Sequence, residues 1–481
     1  MSRTKSRLTM FLLVFALLLV PFTAGAQSAQ PNTLPDGATY LIEVPANWNG
    51  TLLLYSHGYV TPGSPNPATD VGDPATRTAL LASGFALAGS SYAHTGWAIQ
   101  EALLDQIAVL DIFNATVGKP DRTIAWGHSL GGIITAGLIQ RNPSRFDAAL
   151  PMCGVLSGGV ATWNQALDSA FAFKTLLAFG SPLQVTNITN PGANFLLSES
   201  LLQTAITTPQ GRARAALSFA LGDTPDWFTP LSPEPAATDF AGQFANQVLW
   251  AAKVDFPFIF ALRAELEARA GGNPSWNTGV DYRKQFEKST SKAEVMALYA
   301  AAGLSLEDDL NSLNNAARIS ANPASVDYLE QNIIFNGDIH IPVLTMHTEG
   351  DGLVSNQNED AYRDTVRQAG NNRLLRETFV HRAGHCAFTP AETVTALTNL
   401  ISRLDTGKWP DLHPATLNAE AAALGAGLNI FAVSTQTGVQ IIPTAPAFDP
   451  FQPTEFLREF DASIDARCER HGRNEQLCNV N

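Results

Sequence analysis

The chain has 481 residues, 45% hydrophobic and 15% charged, with a formal charge of −14. That length exceeds one compact core of about 100–200 residues, so a large domain with an insertion or a second domain is expected. The composition excludes extensive disorder, and the acidic balance excludes a nucleic-acid partner, whose phosphates need Lys and Arg.

Residues 1–26 read as a secretory signal peptide. Arg3, Lys5 and Arg7 form a basic start, Leu8 to Val20 is almost entirely apolar, and Ala24-Gly25-Ala26 supplies small residues for cleavage near Ala26. The apolar run is short for a membrane anchor, which needs about 20 residues, and no second run of spanning length follows. A secreted or periplasmic protein without a stable membrane span is expected. Cleavage removes three basic residues and no acidic ones, which takes the charge from −14 to −17.

Beyond the leader, Tyr40–Val44, Thr51–Ser56 and Phe85–Ser91 read as strands, and Gly96–Val117 carries apolar residues at helical spacing. Thr123–Trp126 is a strand followed at once by Gly127-His128-Ser129-Leu130-Gly131, then by a helix over Gly132–Arg141 and a strand over Asp147–Met152. Alternating strands and helices indicate a mostly parallel sheet flanked by helices. From about Leu156 to Asn332 the text is helical, and strands return at Ile341–Met346 and Leu374–Val380. The expected division is a core over 27–158 and 334–409, a mainly helical lid over 159–333, and a tail over 410–481. Most lid aromatics, such as Trp163, Phe171, Phe173 and Phe258, are expected in the lid's own core and a few in a pocket.

The chemistry centres on Gly127-His128-Ser129-Leu130-Gly131, a G-x-S-x-G motif lying where a nucleophile elbow must lie, between a strand and a helix. A serine needs a base to take its proton, and the base needs an acid to orient it. Asp351 and His385 each follow a strand, in the order Ser, Asp, His. His381 competes with His385, and Glu349 and Asp360 compete with Asp351; the strand-end loops favour His385 and Asp351. His128 is expected to pack behind the elbow. The backbone N–H groups of Leu130 and of Tyr59, after Ser56-His57-Gly58, are the expected oxyanion donors.

Four cysteines allow three pairings, or four free thiols. Cys468 with Cys478 would close a small loop in the tail, leaving Cys153 with Cys386, which follow strands at one edge of the sheet and would pin the histidine loop. No cysteine spacing suits zinc, and no Walker loop, H-E-x-x-H or dinucleotide fingerprint appears, so no cofactor or metal is implied.

These segments resemble the α/β-hydrolase superfamily, carried by Ser56-His57-Gly58-Tyr59, Gly127 to Gly132, and the turns holding Asp351 and His385. The resemblance implies the α/β-hydrolase fold and a serine carboxylic-ester hydrolase acting on a small-molecule or polymeric ester. His385-Cys386 in an exported chain with a large lid also resembles the tannase and feruloyl esterase group, in which a disulfide joins a cysteine beside the nucleophile to one beside the histidine. Here His128 precedes Ser129, so that motif is half met and phenolic specificity does not carry over. A serine exopeptidase or amidase is the first alternative, and a non-catalytic hydrolase-like binding protein the second.

Overall fold

The computed structural model describes residues 31–435 and 438–460. The leader and the Cys468–Cys478 pairing lie outside the described residues.

The core is a nine-stranded sheet in the order β1-β2-β4-β3-β5-β6-β7-β8-β11. In chain order its strands are β1 (Asn32–Thr33), β2 (Thr39–Glu43), β3 (Thr51–Ser56), β4 (Ala86–Ser90), β5 (Arg122–His128), β6 (Ala148–Met152), β7 (Val343–Gly350) and β8 (Leu375–Ala383). A hairpin, β9 (Ile430–Thr435) and β10 (Gly438–Pro443), precedes β11 (Phe448–Asp449). Strands β4, β3, β5, β6, β7 and β8 run parallel, while β2, with β1 outside it, and β11 add antiparallel pairings at the two sides. Burial on both faces explains why Thr51–Ser56 and Ala148–Met152 read as continuous apolar text: every residue in both strands is buried.

The chain leaves β3 toward β4 on one side and returns to β5 on the other. This reversal opens a crevice at the carboxyl ends of β3 and β5, where open α/β sheets bind ligands. Helices α1 (Pro74–Ala82), α2 (Ile99–Thr116) and α3 (Leu130–Arg141) link the first strands. Nine helices follow between β6 and β7, from α4 (Gly159–Leu177), α5 (Pro191–Ala205), α6 (Pro209–Ala220) and α7 (Phe240–Trp250) through α8 (Arg263–Ala270), α9 (Tyr282–Lys288), α10 (Lys292–Ala302) and α11 (Leu306–Asn315) to α12 (Pro323–Gln331). Two π-helical segments, Ala251–Asp255 and Phe258–Leu262, lie between α7 and α8. This insertion has its own core, in which Phe171, Phe173, Phe256 and Phe260 are buried. Helices α13 (Gln357–Gln368), α14 (Pro390–Thr406) and α15 (Pro414–Ala423) complete the helical cover among the described residues. The tail then passes along the β8 edge and reaches the lid, where buried Arg458 pairs with buried Asp168 and donates to the Trp276 carbonyl.

One strand differs from its sequence reading. β7 continues past Met346 to Gly350, through His347, Thr348 and Glu349. Polar text hid this extension, because His347 and Thr348 are fully buried with their hydrogen bonds met inside the fold.

The elbow depends on backbone contact. A Cβ on Gly127 would lie 2.4 Å from the Ser56 carbonyl oxygen, and one on Gly131 only 1.9 Å from the same atom. Helix α3 therefore starts hard against the end of β3. Gly131→Ala is expected to cost at least about 3 kcal/mol, since backbone cannot yield as a side chain does. Gly192→Ala, in α5 with open space around the new Cβ, should be neutral or stabilising by up to about 1 kcal/mol. Denaturant melts of the two variants check the contrast.

Candidate active site

Ser129 sits between β5 and α3 with φ 59° and ψ −124°. A non-glycine residue held there is strained by about 1–3 kcal/mol, which the surroundings must hold. Its N–H donates to the Met152 carbonyl at 3.0 Å, and its own carbonyl accepts from Gly132 at 2.8 Å. Leu130 begins α3, so its N–H is among those that a helix start leaves without an intrahelical partner. Gly58 passes so close that a Cβ there would lie 3.3 Å from Ser129 Cβ and 3.7 Å from its Oγ. The buried His57 ring, stacked on Tyr92 at 4.0 Å and bonded to the Gly58 and Ser91 carbonyls, fixes this loop.

Asp351 follows β7 and is buried. One carboxylate oxygen accepts from the N–H groups of Leu353 at 3.1 Å and Val354 at 3.0 Å. The other accepts from His385 Nδ1 at 2.7 Å and lies 3.5 Å from His347 Nε2. Burial pushes this carboxyl up, but the charge of His385 and the hydrogen bonds from both histidines outweigh it and hold the group at about 2. An ionised Asp351 fixes Nδ1 of His385 as the donor and leaves Nε2 free to act as a base. Among the described residues no hydrogen bond joins Ser129 Oγ to His385; such contacts are often long without ligand and tighten when substrate binds.

The histidine loop is clamped from several sides. Thr348 Oγ1 donates to the Gly384 carbonyl at 2.7 Å, and the Gly384 N–H donates to the Gly350 carbonyl at 2.9 Å. Thr389 and Glu392 form a capping box at the start of α14, and buried Arg382 bonds both Glu392 and the Ala387 carbonyl. A disulfide joins Cys153, next to Met152 under the elbow, to Cys386, next to His385, across a sequence separation of 233. The Cys386 sulfur lies 3.4 Å from His385 Nε2.

The competing residues are engaged elsewhere. His381 pairs with Glu349 at 2.8 Å on the surface, and Asp360 pairs with Arg363 on α13. His128 lies behind the elbow, 3.2 Å from the Tyr55 hydroxyl; burial and then the charge of His385 lower it to about 3, so it stays neutral.

A cavity of about 110 Å³ opens beside Ser129, lined by Tyr59, Leu130 and the turn after Asp351 on the core side, and by lid residues including Trp163, Thr224, Asp255 and Phe258. A larger cavity of about 390 Å³ lies between β8, β11 and α15 and touches none of the candidate residues. Two features had no sequence signal. Asp255 comes from the lid, and His347 is bonded through Nδ1 to buried Glu359 at 2.9 Å and through Nε2 to the Val354 carbonyl at 2.9 Å. Burial alone would lower His347, but its bonds to Asp351 and Glu359 raise it to about 10.

A model of the prolyl oligopeptidase family matches residues 87–171. The chain is 31% identical over 430 residues to an o-phthalyl amidase of Xanthobacter agilis, across 82% of this chain and 91% of that one. Similar solved structures include an esterase from Aspergillus oryzae, with TM-score 0.41, 12% identity and coverage of 90% and 88% of the two chains. Feruloyl esterase B from Aspergillus oryzae matches with TM-score 0.38, 14% identity and the same 90% and 88%.

Two outcomes follow from this geometry. His347 is raised from 6.5 to about 10 on folding, so its stabilisation is complete below about pH 6.5 and is lost as pH rises toward 10. Melting temperature should fall across that range, and His347→Asn should flatten the slope. Cys386→Ser should lower stability by about 2–5 kcal/mol and reduce kcat, both measurable on purified protein.

Proposed function

The chain belongs to the α/β-hydrolase superfamily, and on that premise we propose that it is a carboxylic-ester hydrolase working through an acyl-enzyme on Ser129. The observation that carries the reading is the 2.7 Å bond from His385 Nδ1 to an ionised, buried Asp351, in a loop tied by disulfide to the strand beneath the Ser129 elbow.

In this reading Ser129 Oγ attacks the substrate carbonyl carbon while His385 Nε2 takes its proton. The carbonyl oxygen becomes an oxyanion held by the N–H groups of Leu130 and Tyr59. The tetrahedral intermediate collapses, the bond to the alcohol breaks, and His385 returns the proton to the departing oxygen. Water repeats the sequence on the acyl-Ser129 ester and releases the acid. Asp351 stabilises the imidazolium at each stage. The reading includes export after cleavage near Ala26, which the Cys153–Cys386 disulfide supports, since such bonds persist in oxidising compartments.

A second reading has a specific observation behind it: the 31% identical relative is named for an amide substrate. The same residues serve an amide if His385 protonates the departing nitrogen. p-Nitrophenyl esters from acetate to long acyl chains, run beside the matching p-nitroanilides, separate the two. Wild type is expected to turn over at least one ester, and Ser129→Ala to lose about 10⁶-fold in kcat. Turnover of anilides alone would replace the ester reading with the amide one. Full activity in Ser129→Ala would end both.

A further inference from the structure

The cavity beside Ser129 carries one ionisable side chain from the lid and no lysine or arginine. That side chain is Asp255, at the end of the π-helical segment Ala251–Asp255. π-Turns are rare and cluster at functional sites, because the extra residue re-aims the side chains around it. Here the second π-helical segment supplies Phe258 and Ile259 to the same cavity. Two irregular turns thus place one acidic and two apolar residues in the wall of the cavity that Ser129 also lines.

Asp255 is poorly satisfied by its own protein. Among the described residues its one hydrogen bond is from Thr224 Oγ1, at a long 3.3 Å. No ion pair reaches it: Lys253 on the same segment is exposed, and Arg263, which sits 5.6 Å over Trp163, is bonded to Glu267 and Asn273. Asp351 adds a second negative charge nearby, and burial with that charge, opposed by Thr224, raises the Asp255 carboxyl to about 7. A carboxylate in this setting lacks a donor of positive charge, and the aromatic rings that line the same cavity favour a cation.

We propose that Asp255, with the aromatic walls Tyr59, Trp163 and Phe258, recognises an ammonium group on the substrate, so that the preferred esters or amides carry a free amine near the scissile carbonyl. The proposal rests on the reading that the Ser129 cavity is the substrate site, and it selects among substrates of that hydrolase.

The test separates binding from turnover. Titration calorimetry at about pH 8, above the raised value of Asp255 and below that of a primary amine, compares benzylammonium, benzyl alcohol and benzoate on wild type and on the isosteric Asp255→Asn. Wild type should bind benzylammonium at least about tenfold tighter than benzyl alcohol, the scale of one charge-assisted hydrogen bond, and benzoate most weakly. Asp255→Asn should bring benzylammonium and benzyl alcohol within about twofold, the loss of that bond. Equal binding of the three compounds, stronger benzoate binding, no benzylammonium binding, or a preference that survives Asp255→Asn would each overturn the proposal. Failure of the hydrolase reading shows separately, as wild-type protein inert toward every ester and anilide, and leaves this comparison readable.

Discussion

A carboxylate buried at the end of a central strand is the constraint on which the site depends. Removing such a charge from water costs several kcal/mol unless hydrogen bonds and opposite charge replace the lost solvent. Asp351 meets this demand with two backbone N–H groups on one oxygen and two histidines on the other. Each partner comes from a different place: the turn after β7, the loop after β8, and the interior of β7. Satisfying one buried group thus fixes three segments, and the orientation of His385 is one result.

The second histidine changes how this cluster is understood. His347 lies between Asp351 and Glu359, and its Nε2 also donates to the Val354 carbonyl. Two carboxylates and two histidines therefore lie in one hydrogen-bonded cluster, of which His385 alone is partly exposed. Glu359 balances His347, which leaves the charge of Asp351 available to His385. The disulfide and the Arg382–Glu392 pair then hold the histidine loop against the sheet from the opposite side.

The parallel sheet was legible because its strands are apolar on both faces, and the elbow because its glycines answer to a backbone contact that no other residue allows. The turns holding Asp351 and His385 stood out by following strand ends. The last residues of β7 were hidden by polar letters whose partners are distant in sequence. His347 and Glu359 showed no motif, since their pairing exists only after α13 docks on the sheet. Asp255 was equally silent, since π-turns leave no periodic signature. Among the lid aromatics, spacing gave no way to tell cavity-lining Trp163 and Phe258 from Phe171 and Phe173 of the lid core.

The central claim is that Ser129 is activated for attack by His385. Labelling folded protein with a fluorophosphonate probe, followed by peptide mass mapping, tests it most directly. The account predicts one adduct per chain, on Ser129. A label on another residue, or no label on folded protein, would contradict it.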